Sequence, residues 1–362
     1  MFCLSVPAPS RTYTVHAGRG LLDRVGELTK ELPKASTSMI VADSNVAPLY
    51  ADRLRRSLEA SGQRGEVAVF PAGEASKCLG TLGELLNRMA DSHLSRSDRV
   101  YALGGGVTGD LAGLAAALYM RGIGLVQIPT SLLAAVDSSV GGKTAVDLPA
   151  GKNLVGSFYQ PEMVVCDTDC LATLPDEQVA NGFGEVVKTG ILAGEPLFSM
   201  AAGPVASDAL EGVIRRCIEF KRDVVEKDEK EGGLRQILNF GHTFGHAVEK
   251  CSGFELPHGF CVGIGMVLVT AACAARGTCP RQLLTDLCGA LRAHGLPIST
   301  TFGVDELYAA LLSDKKRSGS SMTLVLPRGL GDVERRKIPI DEVRALLEEA
   351  LEASRELPGA RE

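Results

Sequence analysis

The length, composition and charge of the chain exclude several classes of protein. Its 362 residues exceed the ~250–300 at which a single hydrophobic core stops growing, so we expect two domains. A hydrophobic content of 45% and a charged content of 23% are typical of a globular protein. A formal net charge of −6, an aromatic content of 5% and the absence of Trp argue against a nucleic-acid partner.

The first half of the chain alternates between short apolar runs and amphipathic segments. The runs predict strands at Met39–Ala42, Val67–Phe70, Arg99–Leu103, Gly124–Ile128 and Met163–Cys166. The amphipathic segments predict helices over residues 48–61 and 79–92. Such alternation favours an α/β domain with a mostly parallel sheet covered by helices.

A glycine-rich segment, Gly104–Gly113, follows the third of these strands and opens a predicted helix. Gly104, Gly106 and Gly109 have the Gly-x-Gly-x-x-Gly spacing that lets a backbone approach a pyrophosphate. The spacing alone is a weak signal, because no acidic residue follows at the usual distance, and a tight packing turn is the alternative. Polar residues after two other strands, at Asp43 and in residues 71–77, favour a nucleotide site at the same sheet edge.

The next segment, Pro129–Gly156, is rich in small residues and contains Lys143, Lys152 and Asn153. Its Gly-Gly-Lys-Thr sequence is not a phosphate-binding Walker loop, because Asp137 stands where that pattern requires glycine. The two lysines and the asparagine remain candidates for anion binding, with simple surface solvation as the alternative for either lysine.

After Leu174 the chain changes to longer segments of helical period. We therefore place a boundary that gives an α/β domain over residues 1–174 and a mainly α-helical domain over residues 175–362. The predicted helices of the second domain span residues 177–192, 209–226, 243–250, 260–275, 281–294 and 341–356. Residues 322–326 predict a strand or hairpin. The uncharged segment 260–275 is short for a membrane span, so we predict a buried core helix.

Three of the six histidines lie close together in the second half: His242, His246 and His258. In a helix, His242 and His246 would lie one turn apart on the same face. The pair is not the zincin pattern, because Thr243 replaces the glutamate. A metal site and two structural histidines are both compatible with such a pair.

The cysteines and the N-terminal residues favour a reducing compartment. Ten cysteines are scattered without a Cys-x-x-Cys pair, so we expect buried thiols and neither a zinc ribbon nor a disulfide framework. Residues 1–20 show no basic region followed by an apolar run, so no signal peptide is expected. We therefore expect a cytoplasmic protein with no membrane partner.

Taken together, these segments closely resemble the 3-dehydroquinate synthase family, from about Val41 to Leu326. The motifs that carry the resemblance are Gly104–Gly113, Pro129–Gly156, Gly184–Lys188, Asp228–Glu249 and His258–Gly259. It implies an N-terminal Rossmann-like domain that binds NAD and a helical C-terminal domain that binds metal and substrate. It also implies one divalent cation, Zn²⁺ with Co²⁺ as an alternative, and a homodimer. Position 260 departs from many members, because Phe260 stands where they have glutamate.

The resemblance also assigns roles to individual residues. The metal ligands would be Glu185, His242 and His258. NAD contacts would come from Asp43, Glu74, Lys77, Gly104, Gly105, Gly106, Val107, Asp110, Thr130, Ser131, Asp137, Lys143, Lys152 and Thr173. Substrate contacts would come from Arg121 (lent to the neighbouring subunit), Asp137, Lys143, Asn153, Lys188, Lys221, Arg235, Asn239, His246 and one or both of Lys315 and Lys316. Of these, Lys143, Asn153, Asn239 and His246 would hold the substrate phosphate. Catalytic roles would fall to Lys143, Lys188, Glu231 and His246.

The activity implied is the conversion of 3-deoxy-D-arabino-heptulosonate 7-phosphate, a phosphorylated sugar acid, to 3-dehydroquinate and phosphate. This lyase reaction of the shikimate pathway, which leads to the aromatic amino acids, proceeds by transient oxidation by NAD, phosphate elimination, re-reduction and intramolecular aldol closure. The alternatives are another sugar-phosphate cyclase, of valiolone or inosose type, and a metal-dependent polyol dehydrogenase. The presence of Lys221, Arg235, Asn239 and His246 favours a substrate with a carboxylate.

Overall fold

The computed structural model describes residues 1–315 and 320–358, and it divides into two compact units. The first unit contains Met1–Pro175 together with Lys221–Lys230. The second contains Asp176–Phe220 and Glu231–Glu362. The single boundary expected after Leu174 assigns Lys221–Lys230 to the second domain, whereas this segment packs in the first unit. The helical period of that segment carries no information about which unit it packs in.

The first unit is built on a seven-stranded sheet with the order β1-β2-β9-β6-β5-β3-β4. The strands of the unit, two of which (β7 and β8) lie outside this sheet, are β1 (Phe2–Ala8), β2 (Arg11–Gly18), β3 (Thr37–Asp43), β4 (Arg64–Phe70), β5 (Arg99–Gly104), β6 (Gly124–Pro129), β7 (Lys143–Leu148), β8 (Gly151–Phe158) and β9 (Met163–Asp167). β1 pairs antiparallel with β2, and the remaining pairs of the sheet are parallel. β7 and β8 form a separate antiparallel hairpin.

Helices cover both faces of this sheet. They are α1 (Val25–Leu28), α2 (Ala47–Ala60), α3 (Leu79–Asp91) and α4 (Gly106–Leu118). Neighbouring residues of β3 point to opposite faces, so Val41 packs in one hydrophobic cluster and Ile40 in another. The first cluster includes Leu82 of α3, and the second includes Leu54 of α2. The predicted parallel, doubly covered sheet is confirmed.

The second unit is mainly helical. Its elements are α5 (Asp176–Ala193), α6 (Leu197–Ala201), α7 (Leu210–Lys227, whose last turns belong to the first unit), α8 (His242–Cys251), α9 (His258–Ala275), α10 (Arg281–Ala293), α11 (Val304–Lys315), β10 (Ser321–Gly329), β11 (Asp332–Pro339) and α12 (Ile340–Arg355). β10 and β11 form an antiparallel hairpin. The predicted helical second half is confirmed.

Helix α9 is the centre of the second unit, where α5, α8, α10 and α12 pack around it. By length and composition it is the one helix among the described residues that passes as a membrane span, but 83% of its apolar window is buried inside the protein. This burial is typical of the core helix that the uncharged run predicts. Because α9 touches both α5 and α8, it can bring side chains from three helices to one place.

Several regular elements have no counterpart in the sequence-based predictions: the hairpins β1–β2 and β7–β8 and the helices α1, α6 and α11. In β8 most side chains are at least partly exposed, so the strand has no apolar pattern to read. Strand β1 does alternate, with Leu4, Val6 and Ala8 buried, but Pro7 within the run argues against a strand. The segment interpreted as a lysine-rich loop therefore contains a hairpin, with Lys143 at the start of one strand and Lys152 and Asn153 near the start of the other.

Candidate active site

The glycine loop joins β5 to α4 at the carboxyl edge of the sheet. A Cβ atom on Gly104 would lie 2.3 Å from Thr108 Oγ1, and one on Gly106 would lie 3.3 Å from Ser138 Oγ. The Thr130 amide donates to the Gly104 carbonyl at 3.0 Å. The loop is therefore held tightly, and the first amides of a 13-residue helix follow it. This is the arrangement that binds pyrophosphate at a helix N-terminus.

Asp43 ends β3 beside this loop. Its carboxylate accepts hydrogen bonds from the Asn45 amide at 2.8 Å and the Val46 amide at 3.0 Å. Thr108 Oγ1 also lies 3.4 Å from its Oδ2. The contact with Thr108, on the first turn of α4, brings Asp43 next to the glycine loop, as its proposed contact with NAD requires.

A polar cluster around the buried Lys77 brings together Glu74, Lys77, Asp110, Lys152 and Asn153. Lys77 Nζ lies 2.6 Å from Asp110 Oδ2 and donates to Asn153 Oδ1 at 2.6 Å. Lys152 Nζ lies 3.3 Å from Glu74 Oε1. Burial raises the pKa of Asp110 although Lys77 opposes the change. Four of the five residues were predicted to contact NAD, and Asn153 was predicted to contact the substrate phosphate.

Asp137 and Lys221 form a second pair in the first unit. Asp137 lies in a π-helical turn, Ala134–Ser138, and Lys221 is near the end of α7. The Lys221 ammonium donates to the Asp137 carbonyl at 2.7 Å and contacts its carboxylate. Lys221 thus lies in the first unit, although the boundary expected from the sequence assigns it to the second domain.

The remaining predicted residues of the first unit are more dispersed. Lys143 and Arg121 are exposed, and Arg121 has the left-handed φ of 67°. Val107 packs against a hydrophobic cluster of the sheet. Thr173 Oγ1 lies 2.6 Å from the Tyr50 hydroxyl. A Cβ atom on Gly105 would lie 3.2 Å from Ser131 Oγ, which places Ser131 against the glycine loop.

In the second unit, Glu185, His242 and His258 converge on one point. Glu185 lies in α5 and is fully buried, and the two histidines are the first residues of α8 and α9. Glu185 Oε1 is 3.2 Å from His258 Nε2 and 3.7 Å from His242 Nε2. Potential ligand atoms of all three lie within 4.8 Å of one another. One buried carboxylate and two imidazoles are a donor set that suits a zinc-like divalent cation.

Glycines explain why these three side chains can meet. A Cβ atom on Gly259 would lie 1.9 Å from the Asn181 carbonyl, and one on Gly184 would lie 2.4 Å from the Gly259 carbonyl. The backbones of α5 and α9 are therefore in direct contact beside Glu185 and His258. A Cβ atom on Gly265 would lie 2.0 Å from the Gly241 carbonyl, so α8 and α9 are equally close beside His242.

The two candidate imidazole ligands have different electrostatic surroundings. Burial lowers the pKa of His242 well below its usual value, and the Lys188 ammonium adds to the effect. Burial also opposes protonation of His258, but the carboxylates of Glu185 and Glu249 outweigh it and raise its pKa to about 9. The Lys188 ammonium, itself buried, contacts Glu185 Oε2. Lys188 and a protonated His258 would thus both place positive charge beside the one buried carboxylate of Glu185.

His246 lies one turn after His242 and is exposed. The ring centroid of His246 is 5.3 Å from that of His242 and 5.9 Å from that of His258. It does not belong to the group formed with Glu185, but it forms a second group with Glu249 and His258 whose ligand atoms also lie within 4.8 Å. Its assignment to the substrate phosphate stays a prediction.

Three further predicted residues lie on a short segment before α8. Asn239 Nδ2 donates to Glu231 Oε1 at 2.7 Å, and Glu231 has a left-handed φ of 59°. Arg235 lies between them in sequence and is 1% exposed.

The side chain of Lys315 and the whole of Lys316 lie outside the described residues. Glu249 was missed, although its position seven residues after His242 indicates the same helix face.

The sequence has relatives of known name over almost its whole length. Family models described as 3-dehydroquinate synthase N-terminal and C-terminal match residues 67–181 and 182–317. A 3-dehydroquinate synthase of Caulobacter vibrioides is 44% identical over 337 residues, which cover 89% of this chain and 91% of that protein. One of Lactiplantibacillus plantarum is 44% identical over 333 residues, which cover 91% of this chain and 93% of that protein.

Solved structures share the fold. A 2-deoxy-scyllo-inosose synthase, complexed with carbaglucose-6-phosphate, NAD+ and Co2+, has a TM-score of 0.86 and 25% identity over 96% of this chain and 99% of its own. A 2-epi-5-epi-valiolone synthase of Streptomyces hygroscopicus, with NAD+ and Zn2+ bound, has a TM-score of 0.83 and 29% identity over 94% of this chain and 97% of its own. The curated relatives named above are more similar in sequence, so the valiolone, inosose and polyol dehydrogenase alternatives are not favoured.

Proposed function

The chain belongs to the 3-dehydroquinate synthase family, and we propose that it converts 3-deoxy-D-arabino-heptulosonate 7-phosphate to 3-dehydroquinate and phosphate. The observation that carries the proposal is the convergence of Glu185, His242 and His258 on one point in a chain whose glycine loop suits a dinucleotide. An oxidation followed by a reduction requires both a hydride acceptor and a means of activating a hydroxyl.

NAD would be held by the first unit. The amides after the glycine loop would take the pyrophosphate, and Asp43 would accept hydrogen bonds from ribose hydroxyls. Lys77 would be kept in place for NAD by Asp110, since a buried ammonium without a carboxylate partner would be strongly destabilised. The other NAD contacts predicted from the sequence are part of the same proposal.

The divalent cation would be held by Glu185, His242 and His258, and we propose Zn²⁺ with Co²⁺ as an active substitute. When bound, NAD supplies a reversible hydride acceptor and the cation supplies a Lewis acid for substrate hydroxyls. Lys188 balances the charge of Glu185 and is close enough to exchange a proton with a hydroxyl held there. Its burial keeps competing water away from that proton.

The substrate carries a phosphate and a carboxylate, so a chain of net charge −6 needs local cations. Arg235 is the candidate for the carboxylate, because a buried guanidinium is a fixed, bidentate donor. Lys221 is a second candidate for the carboxylate, and Asp137 fixes the position of its ammonium. Lys143, Asn153, Asn239 and His246 would hold the phosphate, with Glu231 orienting the Asn239 amide.

We also propose a cytoplasmic homodimer. Four large apolar side chains are exposed on adjoining elements of the first unit, close in sequence to Arg121 or on β8: Leu118, Met120, Leu154 and Phe158. Covering such side chains in a second copy would remove apolar surface from water. Sedimentation equilibrium tests this proposal: a monomer at micromolar concentration would contradict it.

The proposed activity is tested by supplying the phosphorylated heptulosonate to the purified protein with NAD and a divalent cation. Phosphate release should match the substrate consumed, and NADH should not accumulate because its hydride returns to the product. NADH that accumulates in proportion to the substrate would instead indicate a dehydrogenase. An absence of phosphate release from protein loaded with both cofactors would refute the proposal.

A further inference from the structure

The carboxylate of Glu249, on α8, lies beside the imidazole of His258 in the second unit. We propose that Glu249 is a positioning residue that holds this imidazole, through its Nδ1–H group, in the tautomer and orientation in which Nε2 can bind a divalent cation. This inference rests on the proposed metal site and adds a residue outside its three ligands.

The His258 ring lies between two carboxylates. Its Nε2 is 3.2 Å from Glu185 Oε1, and its Nδ1 is 3.9 Å from Glu249 Oε2. The 3.9 Å contact is electrostatic and longer than a hydrogen bond. A carboxylate that faces Nδ1 favours a proton on that nitrogen, which leaves the lone pair of the neutral ring on Nε2. A cation bound at Nε2 would make the Nδ1–H group a stronger donor toward Glu249.

His242 provides an internal comparison. Its Nδ1 lies 3.2 Å from the Phe240 carbonyl, so a backbone oxygen sets its tautomer. Both imidazoles therefore present Nε2 to Glu185, but one is oriented by a neutral carbonyl and the other by a charged side chain. A charged acceptor increases the basicity of an imidazole more strongly than a neutral one does. Glu249 should therefore raise the basicity of His258 more than the Phe240 carbonyl raises that of His242.

The burial of Glu249 needs an explanation, because a buried carboxylate costs several kcal/mol unless it is paired. Glu249 is 4% exposed. Its backbone carbonyl accepts hydrogen bonds from Ser252 Oγ at 2.7 Å and from the Phe254 amide at 2.9 Å, which close the end of α8. These bonds involve only the backbone of Glu249, and the imidazole of His258 is a partner for the buried carboxylate.

The test measures the affinity of the metal-free protein for Co²⁺ and Zn²⁺ by competition with a chelator, together with the visible spectrum of bound Co²⁺. Glu249→Gln keeps the shape of the side chain but removes its charge. Its metal dissociation constant should rise about 10–100-fold, the usual effect of losing an outer carboxylate partner. The Co²⁺ bands should shift at unchanged stoichiometry, while the melting temperature of the metal-free protein stays close to that of wild type.

The matched control is Glu255→Gln, the same substitution at an exposed glutamate in the connection between α8 and α9. It should leave affinity and spectrum unchanged. Equal affinities in the two glutamine variants would overturn the inference. So would a second bound cation that disappears in Glu249→Gln, because Glu249 would then be a direct ligand in the group with His246 and His258.

Two further measurements keep the outcomes separable. If Glu249→Gln does not fold, Glu249→Asp retains the charge but withdraws it by one methylene, and its affinity should be intermediate; wild-type affinity in that variant contradicts the inference. If wild-type protein and Glu185→Gln bind metal equally weakly, the metal site itself is wrong. Tight wild-type binding that does not respond to Glu249 refutes only the positioning role.

Discussion

A methyl group added at Gly259 should open the candidate metal site. In Gly259→Ala the new Cβ atom would lie 1.9 Å from the Asn181 carbonyl, and real contacts of this kind are not shorter than 3.0 Å. The first turn of α9 must therefore move away from α5 by about 1.1 Å, since neither backbone can rotate aside. His258, the preceding residue, moves with it.

The size of this displacement decides the outcome. Metal–ligand distances tolerate about ±0.2 Å, so a shift several times larger removes His258 from coordination. We expect the metal dissociation constant to rise at least about 100-fold, the upper end of what loss of an outer partner costs. Overpacking should also lower the free energy of unfolding by about 1–3 kcal/mol. Chelator competition and thermal unfolding of the metal-free protein measure the two effects separately.

Gly289→Ala on α10 is the control, because its new Cβ atom meets nothing within 4 Å. It should leave metal affinity unchanged and stabilise the protein by about 0.5–1 kcal/mol, as replacement of a helical glycine does. If Gly259→Ala binds the cation as tightly as wild type does, the explanation of the site by close backbone packing is wrong.

Four other variants test separate features of the structure. Asp98 is 2% exposed and accepts bonds from Ser36, Thr37 and Ser95; burial raises its pKa, but these donors outweigh burial and lower it. The ionised Asp98 therefore stabilises the fold above the pKa of an unfolded carboxyl group, and this stabilisation is lost on acidification. Asp98→Asn should lower the free energy of unfolding by about 1.5–3 kcal/mol near neutral pH. The difference in melting temperature between wild type and variant should narrow in acid. A difference independent of pH would contradict this reasoning. Gly104→Ala should displace Thr108 and weaken NAD binding by about 1–3 kcal/mol in calorimetry; unchanged affinity would show that the loop does not bind NAD. His246→Ala should keep the metal but lose turnover, whereas His242→Ala should lose both. The zinc content of the folded variants measures this difference. Loss of zinc from His246→Ala would show that His246 is a metal ligand.

Much of the fold could be predicted because the periodic spacing of apolar residues is a local property of the sequence. Met39–Ala42 gives β3, and the uncharged run before Ala275 gives the buried helix α9. Strand β8 has no such pattern because it is largely exposed. The placement of Lys221 depends on a contact with Asp137 that joins residues far apart in sequence, so no local pattern could show it.

The candidate site shows the same division between local and distant information. The four-residue spacing of His242 and His246 is visible in the sequence, but it cannot show which of them faces Glu185. That choice depends on how α8 packs on α9, where Gly265 lets the backbone of α9 approach the Gly241 carbonyl beside His242. With Phe260 at the position that departs from the family pattern, the potential donor atoms of the three predicted ligands lie within 4.8 Å of one another.

The central claim, that NAD is reduced and reoxidised within one turnover, is tested most directly by following the hydride. A substrate that carries deuterium at the carbon to be oxidised should give 3-dehydroquinate that retains the deuterium at the same carbon, with none in free NADH. Mass spectrometry of the product measures this retention. Deuterium recovered in released NADH, with a ketone product that still carries its phosphate, would contradict the account.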